Sequence, residues 1–232
     1  MPTDYSLRTL LYLPGNRREP ILKAMASRPD ILVLGLDGVA PAERAAARGL
    51  VEGMVAEGAL GRARVAVGID GLDTLEVTLD LKAMVRPGVA ALIVPRVELP
   101  GEIRELEAVV QDLERHAGLE IGALSFIPVL ESPEALERAG EMAGASRRVV
   151  ALVLGEKLAA ARGADLPEPR QARTRLALAA ASAGVSAVDA PYPKVGDRQG
   201  LVGEAQRAKD MGFGGKAAIH PRQVAPIRRV FS

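Results

Sequence analysis

The stretch SFIPVLESPEALERAGEM, residues 125–142, changes its hydrophobic pattern halfway along. Its first half is a short apolar run that favours a β-strand, and its second half has the apolar spacing of an amphipathic helix. Ser132 is a favourable N-cap residue, and Pro133 suits the first position of a helix. These signals predict a strand that ends at Glu131 and a helix that begins directly after it.

The same strand-then-helix pattern recurs along the whole chain of 232 residues. Eight apolar runs alternate with helical segments at the spacing that parallel βα units require. The predicted strands cover residues 7–13, 31–37, 64–69, 91–96, 125–131, 149–155, 186–192 and 216–220. A doubly wound open sheet is the alternative, although it has no reason to contain eight units. Because eight units in about 250 residues or fewer are typical of the (β/α)8 TIM barrel, we predict a single α/β barrel domain over residues 1–232.

Helical periodicity fills the intervals between these strands. The predicted helices cover residues 18–27, 42–57, 74–85, 101–116, 132–145, 171–183, 198–211 and 221–231. A short helical turn follows the sixth strand, and a loop broken by prolines is predicted at residues 165–169. The connections are therefore short enough for every strand to be followed by its own helix.

Composition excludes several classes of function. The formal net charge is +1 with 25% charged residues, which is not the basic footprint of a nucleic-acid binder. Cysteine is absent, so disulfides, thiol catalysis and cysteine metal sites are excluded. No secretory leader, membrane-spanning run, dinucleotide fingerprint or P-loop is recognisable. We therefore expect a cytoplasmic protein that binds neither nucleic acid nor membrane.

Acidic residues at strand ends are the first candidates for a site. The C-terminal ends of barrel strands meet at one face, where TIM barrels perform their chemistry. Glu131 is the best candidate ligand for a metal or a cationic group, and a solvated strand-end glutamate is the competing explanation. Asp37 ends the second predicted strand, with helix capping as its alternative role. Asp189 is expected to hydrogen-bond inside the barrel, whereas His220 is expected to hold the last turn structurally.

Basic and amide residues follow two other predicted strands. Asn16 and Arg17 follow the first strand in a loop able to meet an anionic ligand. A solvated basic turn explains them equally well. Arg96 follows the fourth strand and is a candidate substrate-binding residue at the mouth, unless it forms a surface ion pair with Glu98. Together these residues would make the mouth of the barrel suitable for a small organic anion.

Five stretches carry a resemblance to a known family. They are LRTLLYLPGNRREPILKA (7–24), VAPAERAAAR (39–48), GLDT with VRPGVAALIVPRVE (71–74 and 85–98), IPVLES (127–132) and GFGGKAAIHPRQV (212–224). In this order they resemble the citrate lyase β-subunit-like (CitE-like) family of the HpcH/HpaI aldolase group. The resemblance implies a TIM barrel that assembles into homo-oligomers. It also implies Mg²⁺-assisted cleavage or formation of a C–C bond beside a carbonyl, on an organic acid or its acyl-CoA thioester.

The chain departs from this family's pattern at the site itself. Glu131 stands at the position of the family's metal-ligand glutamate, but Lys157 stands where the metal-binding aspartate belongs. Gly68 replaces the arginine that meets the substrate carboxylate, and only Asp37 remains of an acidic cluster after the second strand. The family's C-terminal extension is not expected, because the chain stops at Ser232.

These substitutions change what the mouth can hold. We expect the Lys157 ammonium within about 4 Å of Glu131, as in an ion pair, or joined to it by a bridging water, in the place of a dication. Mg²⁺ beside an ammonium would cost about 4 kcal/mol per pair of unit charges at an effective dielectric near 20, so ordinary Mg²⁺ binding is not expected. Lys157 could instead form a Schiff base, although pairing with Glu131 would raise its pKa and oppose that role.

Two functions of different kinds remain open. The first, which the resemblance implies, is a carbon–carbon lyase in which Glu131 and Lys157 are the catalytic residues and a small organic acid or acyl-CoA is the substrate. The second is a barrel that has lost catalysis and serves as a binding or scaffold protein.

Overall fold

The computed structural model describes residues 7–160 and 168–232. Eight parallel strands form a closed barrel in chain order, with the eighth strand paired to the first. The strands are β1 (Thr9–Pro14), β2 (Ile31–Gly35), β3 (Val65–Gly68), β4 (Val89–Val94), β5 (Ser125–Leu130), β6 (Ala151–Leu154), β7 (Ser186–Asp189) and β8 (Gly215–Ala218). The predicted TIM barrel is therefore confirmed.

Ten α-helices surround the barrel in the described part of the chain. They are α1 (Arg18–Ala24), α2 (Arg44–Ala56), α3 (Glu76–Met84), α4 (Pro100–His116), α5 (Pro133–Glu137), α6 (Ala139–Ala143), α7 (Glu156–Ala159), α8 (Pro169–Ala183), α9 (Arg198–Asp210) and α10 (Pro221–Val230). None of the helices described in 7–160 and 168–232 is long and apolar enough to cross a membrane.

Alternating side chains along each strand build two apolar layers. The inner cluster consists of strand residues such as Leu10, Ile31 and Val153, which fill the barrel interior. The larger outer cluster joins the opposite strand faces, such as Leu11, to helix residues such as Ile103. A strand buried on both faces needs a nearly continuous apolar sequence, which is the pattern that predicted these strands.

Three local differences from the predicted elements affect the site. Strand β2 ends at Gly35, so Asp37 lies in the following turn and not on the strand. The helix predicted at 132–145 is two short helices, α5 and α6, separated at Arg138. Of the loop predicted at 165–169, residues 165–167 lie outside the described part of the chain.

A buried group of charges lies between the barrel and its helices. Asp189 accepts hydrogen bonds from Lys216 at 2.6 Å and from Arg173 of α8 at 2.8 Å. Lys216 also donates to Glu204 of α9 at 2.7 Å. The prediction that Asp189 hydrogen-bonds inside the barrel is wrong. Its neighbour Val188 takes the inward position, so strand alternation turns Asp189 outward to the helices.

Candidate functional site at the mouth of the barrel

The end of β5 is fixed by the helix cap that the sequence predicts. The Ser132 side chain accepts a hydrogen bond from the Ala135 N–H at 3.0 Å, and its hydroxyl donates to Glu98 at 2.5 Å. An N-cap of this type satisfies a backbone donor at the start of the helix. Glu131 therefore leaves the strand at a well-defined point on the C-terminal face of the barrel.

Gly155 brings the end of β6 against Glu131. The Gly155 N–H donates to the Leu130 carbonyl at 2.8 Å. A Cβ atom at this position would lie 2.7 Å from the Leu130 carbonyl oxygen and 2.9 Å from the Glu131 Cγ, so any side chain would push the strand ends apart. Lys157 follows two residues later, in the first turn of α7, and shares the mouth with Glu131.

Two adjoining cavities open at this face and share Glu131 and Lys157. The first, of about 340 Å³, is lined by Tyr12, Asp37, Ile93, Pro95, Val129, Glu131, Val153, Leu154, Gly155, Glu156, Lys157, Pro191, Ala217 and Ile219. The second, of about 330 Å³, is lined by Leu72, Asp73, Arg96, Glu98, Glu102, Glu131, Ser132 and Lys157. We call them the inner and the outer chamber. Their shared residues stand where a ligand would pass from one chamber to the other.

Asp37 fills space that two glycines leave open. A Cβ atom on Gly68 would lie 2.9 Å from the Asp37 Oδ1, and one on Gly35 would lie 3.0 Å from it. Burial raises the pKa of the Asp37 carboxyl, although the N–H groups of Asp37 and Gly38 and the charge of Arg96 oppose the shift. The carboxylate predicted to remain from an acidic cluster therefore does face the inner chamber.

Glu131 is half-buried, and burial raises the pKa of its carboxyl. Lys157 and then Arg96 counteract this rise electrostatically, while Asp37 adds to it. Proton exchange at Glu131 is therefore favoured closer to neutral pH than for an exposed glutamate.

The expected direct contact between Lys157 and Glu131 within about 4 Å is not formed, and the alternative of a bridging water stays a prediction. Both residues belong to the described chain, and no ion pair with an N···O distance up to 4.0 Å joins them. The Lys157 side chain is exposed, and its ammonium keeps its hydration instead of being desolvated against a half-buried carboxylate. Lys157 acts on Glu131 through the cavity, at longer range.

Arg96 is held at the rim by an acid that the sequence analysis did not assign to the site. It donates to Asp70 at 2.8 Å, and Arg44 pairs with the other oxygen of the same carboxylate. Burial of Asp70 opposes its ionisation, but hydrogen bonds from Gly71, Arg96 and Arg44 outweigh burial and lower its pKa. The alternative in which Arg96 pairs with Glu98 is wrong, since its partner is Asp70.

Asn16 and Arg17 lie outside both chambers. The Asn16 side chain donates to Glu43 at 2.6 Å, and the exposed Arg17 precedes α1. His220 accepts a hydrogen bond from the Arg222 N–H at 3.1 Å and so caps α10. Its expected structural role is confirmed.

Tyr12 is a residue of the inner chamber that the sequence analysis missed. Its hydroxyl is buried and has no hydrogen-bond partner among the described residues. Burial raises the pKa of Tyr12, and the charge of Asp37 raises it further. The only sequence signal was strand alternation, which places Tyr12 on the same inward face as Leu10.

Known proteins resemble this chain over almost its whole length. A citrate lyase subunit β from Leuconostoc mesenteroides subsp. cremoris is 31% identical, with 97% of this chain and 76% of that protein covered. A (3S)-malyl-CoA thioesterase from Cereibacter sphaeroides is also 31% identical, over 98% of this chain and 78% of that protein.

A solved structure shares the architecture. The citrate lyase β subunit from M. tuberculosis, complexed with oxaloacetate and magnesium, superposes with a TM-score of 0.78 at 28% identity and covers 97% of each chain. The model of the HpcH/HpaI aldolase/citrate lyase family matches residues 8–221. Fold and sequence therefore agree, and the chain belongs to the HpcH/HpaI aldolase/citrate lyase family.

Proposed function

We propose that this protein is a carbon–carbon lyase that binds a small organic acid, or its acyl-CoA thioester, at the barrel mouth. The single observation that carries this proposal is the pair of chambers that meet at Glu131 and Lys157. Relatives named as citrate lyase subunit β and malyl-CoA enzymes support the reaction class. The bond that is made or broken lies beside a carbonyl, where charge develops on oxygen and a proton must move.

Each polar residue at the mouth has a proposed role. Glu131, with its raised pKa, exchanges the proton of the substrate hydroxyl whose carbon–carbon bond is cleaved. Lys157 supplies positive charge beside the reacting carbonyl. Arg96, oriented by Asp70, faces an anionic end of the substrate in the outer chamber, and Asp37 limits the size of the inner chamber. The position of Asn16 outside both chambers gives no support to a substrate-binding role.

The donor set does not fit the Mg²⁺ that the resemblance implies. Mg²⁺ takes hard oxygen ligands in octahedral geometry, usually with carboxylates. Glu131 and Asp37 provide two carboxylates, but the ammonium of Lys157 lines the same chamber. Among residues 7–160 and 168–232, no group of three or more His, Cys, Asp or Glu side chains could hold a metal. The roles above are therefore derived from protein groups alone.

A panel of β-hydroxyacyl-CoA thioesters and free hydroxy acids, with citryl and malyl compounds included, tests the proposal. Mass spectrometry of the products should detect a cleaved keto acid or aldehyde. The Glu131→Gln variant should be slower by about 100-fold or more, the usual effect of losing a general acid–base group. Binding measured by calorimetry without turnover would favour the non-catalytic binding protein. Neither binding nor turnover would contradict both functions.

We also propose a homo-oligomer, as the family resemblance implies. Exposed leucines near the mouth support it: Leu75 is 92% exposed beside the start of α3, and Leu99 is 50% exposed beside the start of α4. A second copy of the chain could cover these side chains, and the proposal itself rests on analogy with the family. Analytical ultracentrifugation that shows only monomers at high micromolar concentration would contradict this proposal. The cytoplasmic location stays a prediction.

A further inference from the structure

Lys157 differs from the other lysines in its position. The chain has six lysines, all in its described part, and only Lys157 lines the chambers at the mouth. The buried Lys216 is held by three acceptors, on Asp189, Ala190 and Glu204. Lys157, in contrast, forms no hydrogen bond or ion pair with any residue of the described chain. Among the described residues, its amine is therefore not committed to a structural contact.

The position of Lys157 is suited to attack on a bound carbonyl. Lys157 lines the inner chamber together with apolar side chains, among them Val153, Leu154 and Ile219. An amine attacks a carbonyl carbon once it has lost its extra proton to a neighbouring base. Glu131 borders the same chamber and can move a proton to or from the reacting atoms. The ion pair that would oppose this role is not formed.

We propose that Lys157 is a nucleophile that forms an imine with the ketone of a small oxo acid at the junction of the two chambers. The inference rests on the proposed function and specifies its substrate class. The substrate is a keto acid that carries a hydroxyl two carbons from the ketone, since an imine activates the bond between the carbon next to the ketone and the carbon that bears the hydroxyl. One part of the substrate occupies the inner chamber. The part that leaves lies in the outer chamber, where Arg96 faces it.

The reaction balances without an oxidant, a reductant or a metal. The Lys157 ammonium gives one proton to the Glu131 carboxylate and adds as the amine to the ketone carbon. The ketone oxygen takes one proton from the amine nitrogen and the one held by Glu131 and leaves as water, so that a cationic imine remains and Glu131 is again a carboxylate. The Glu131 carboxylate then takes the hydroxyl proton as the carbon–carbon bond breaks. The electron pair of that bond moves into an enamine, and the leaving part departs as an aldehyde or ketone. Glu131 returns its proton to the enamine carbon, and water hydrolyses the imine to free the product and the Lys157 amine.

Reductive trapping tests the imine directly. The full chain is incubated with pyruvate and sodium cyanoborohydride, with EDTA present, and the adduct is located by intact mass and peptide mapping. We expect one adduct per chain, on Lys157. Lys157→Arg should abolish it, whereas the matched variant Lys194→Arg, at an exposed lysine outside the mouth, should retain it. Glu131→Gln should slow trapping by about 100-fold, as expected for loss of proton transfer.

Two results would overturn the imine. One is labelling spread evenly over the exposed lysines, and the other is labelling unchanged in Lys157→Arg. Turnover in the thioester and hydroxy-acid panel without any trapped adduct would also refute the imine, while it leaves the proposed lyase intact. Absence of turnover, of pyruvate binding by calorimetry and of trapping would refute both, so the two failures are distinguishable.

Discussion

Two regions of the described barrel combine lysine with carboxylates, but only one of them pairs these groups directly. Between the strands and the outer helices, Lys216 and Asp189 are both fully buried and lie 2.6 Å apart. At the mouth, Lys157 has no direct partner in the described chain, and Glu131 is half-buried with a raised pKa. The same chemical groups thus form a closed structural network in one place and an open, titratable site in the other.

The difference shows how the barrel separates stability from reactivity. In the buried network Arg173 and Lys216 balance Asp189 and Glu204, so every charge has a partner. At the mouth, burial raises the pKa of Asp37 and Glu131, and no partner fully compensates it. Shifted carboxyls in a cleft are typical of functional sites.

The largest expected effect is on stability at the buried network. Lys216→Met leaves the buried Asp189 and the partly exposed Glu204 short of a partner and should lower the free energy of unfolding by about 3–5 kcal/mol. Lys157→Met, the matched variant at the exposed lysine, should change it by less than about 0.5 kcal/mol. Urea denaturation of both proteins measures the contrast. Equal losses of unfolding free energy in the two variants would show that both lysines contribute equally to stability.

A smaller effect is expected where Asp37 packs on glycine. In Gly68→Ala the new Cβ would lie 2.9 Å from Asp37 Oδ1 and 3.2 Å from the Gly35 Cα, so the Asp37 side chain must move, at a cost of about 1 kcal/mol. Gly140→Ala is the control, because no atom lies within 4 Å of its Cβ position, and it should be neutral or slightly stabilising. Thermal unfolding compares them. No loss in Gly68→Ala would mean that Asp37 does not occupy that space.

The smallest effect is a difference in pH dependence between two carboxylates. The raised pKa of Glu131 means that its contribution to stability is present below its ordinary value of 4.5 and is lost as the pH rises through the folded-state pKa. Relative to the unmodified protein, Glu131→Gln should therefore gain folding stability as the pH rises from acid to pH 8. The gain should be less than about 1 kcal/mol, because water screens charges at the mouth.

Asp70 should show the opposite slope. Its lowered pKa contributes stability above the ordinary value of 3.8, and this contribution is lost as the pH falls through the folded-state pKa. Asp70→Asn should consequently be most destabilised at neutral pH, and the difference should shrink in acid. Unfolding curves between pH 3 and pH 8, a range that brackets the ordinary carboxyl pKa values, measure both slopes. Parallel slopes for the two variants would show that pairing with Arg96 and Arg44 does not distinguish Asp70 from Glu131.

The fold was predictable because burial on both faces of every strand leaves a strong apolar pattern. The β5 end at Glu131 was also predictable, because Ser132 and Pro133 signal a helix start locally. Contacts that depend on side-chain direction were not. Strand register and barrel closure determine three of these contacts: Asp189 points outward, Asp70 pairs with Arg96, and Tyr12 points inward. The distance between Lys157 and Glu131 depends on hydration of an exposed ammonium, which spacing alone does not give.

Titration of Mg²⁺ by calorimetry tests most directly whether Lys157 has replaced a divalent cation at the mouth. The unmodified protein should show no binding at millimolar Mg²⁺. Lys157→Asp should bind, since it removes a repulsion of about 4 kcal/mol per pair of unit charges and adds a carboxylate to Glu131 and Asp37. If the unmodified protein binds Mg²⁺ and Glu131→Gln abolishes that binding, the mouth is a metal site and this account of Lys157 is contradicted.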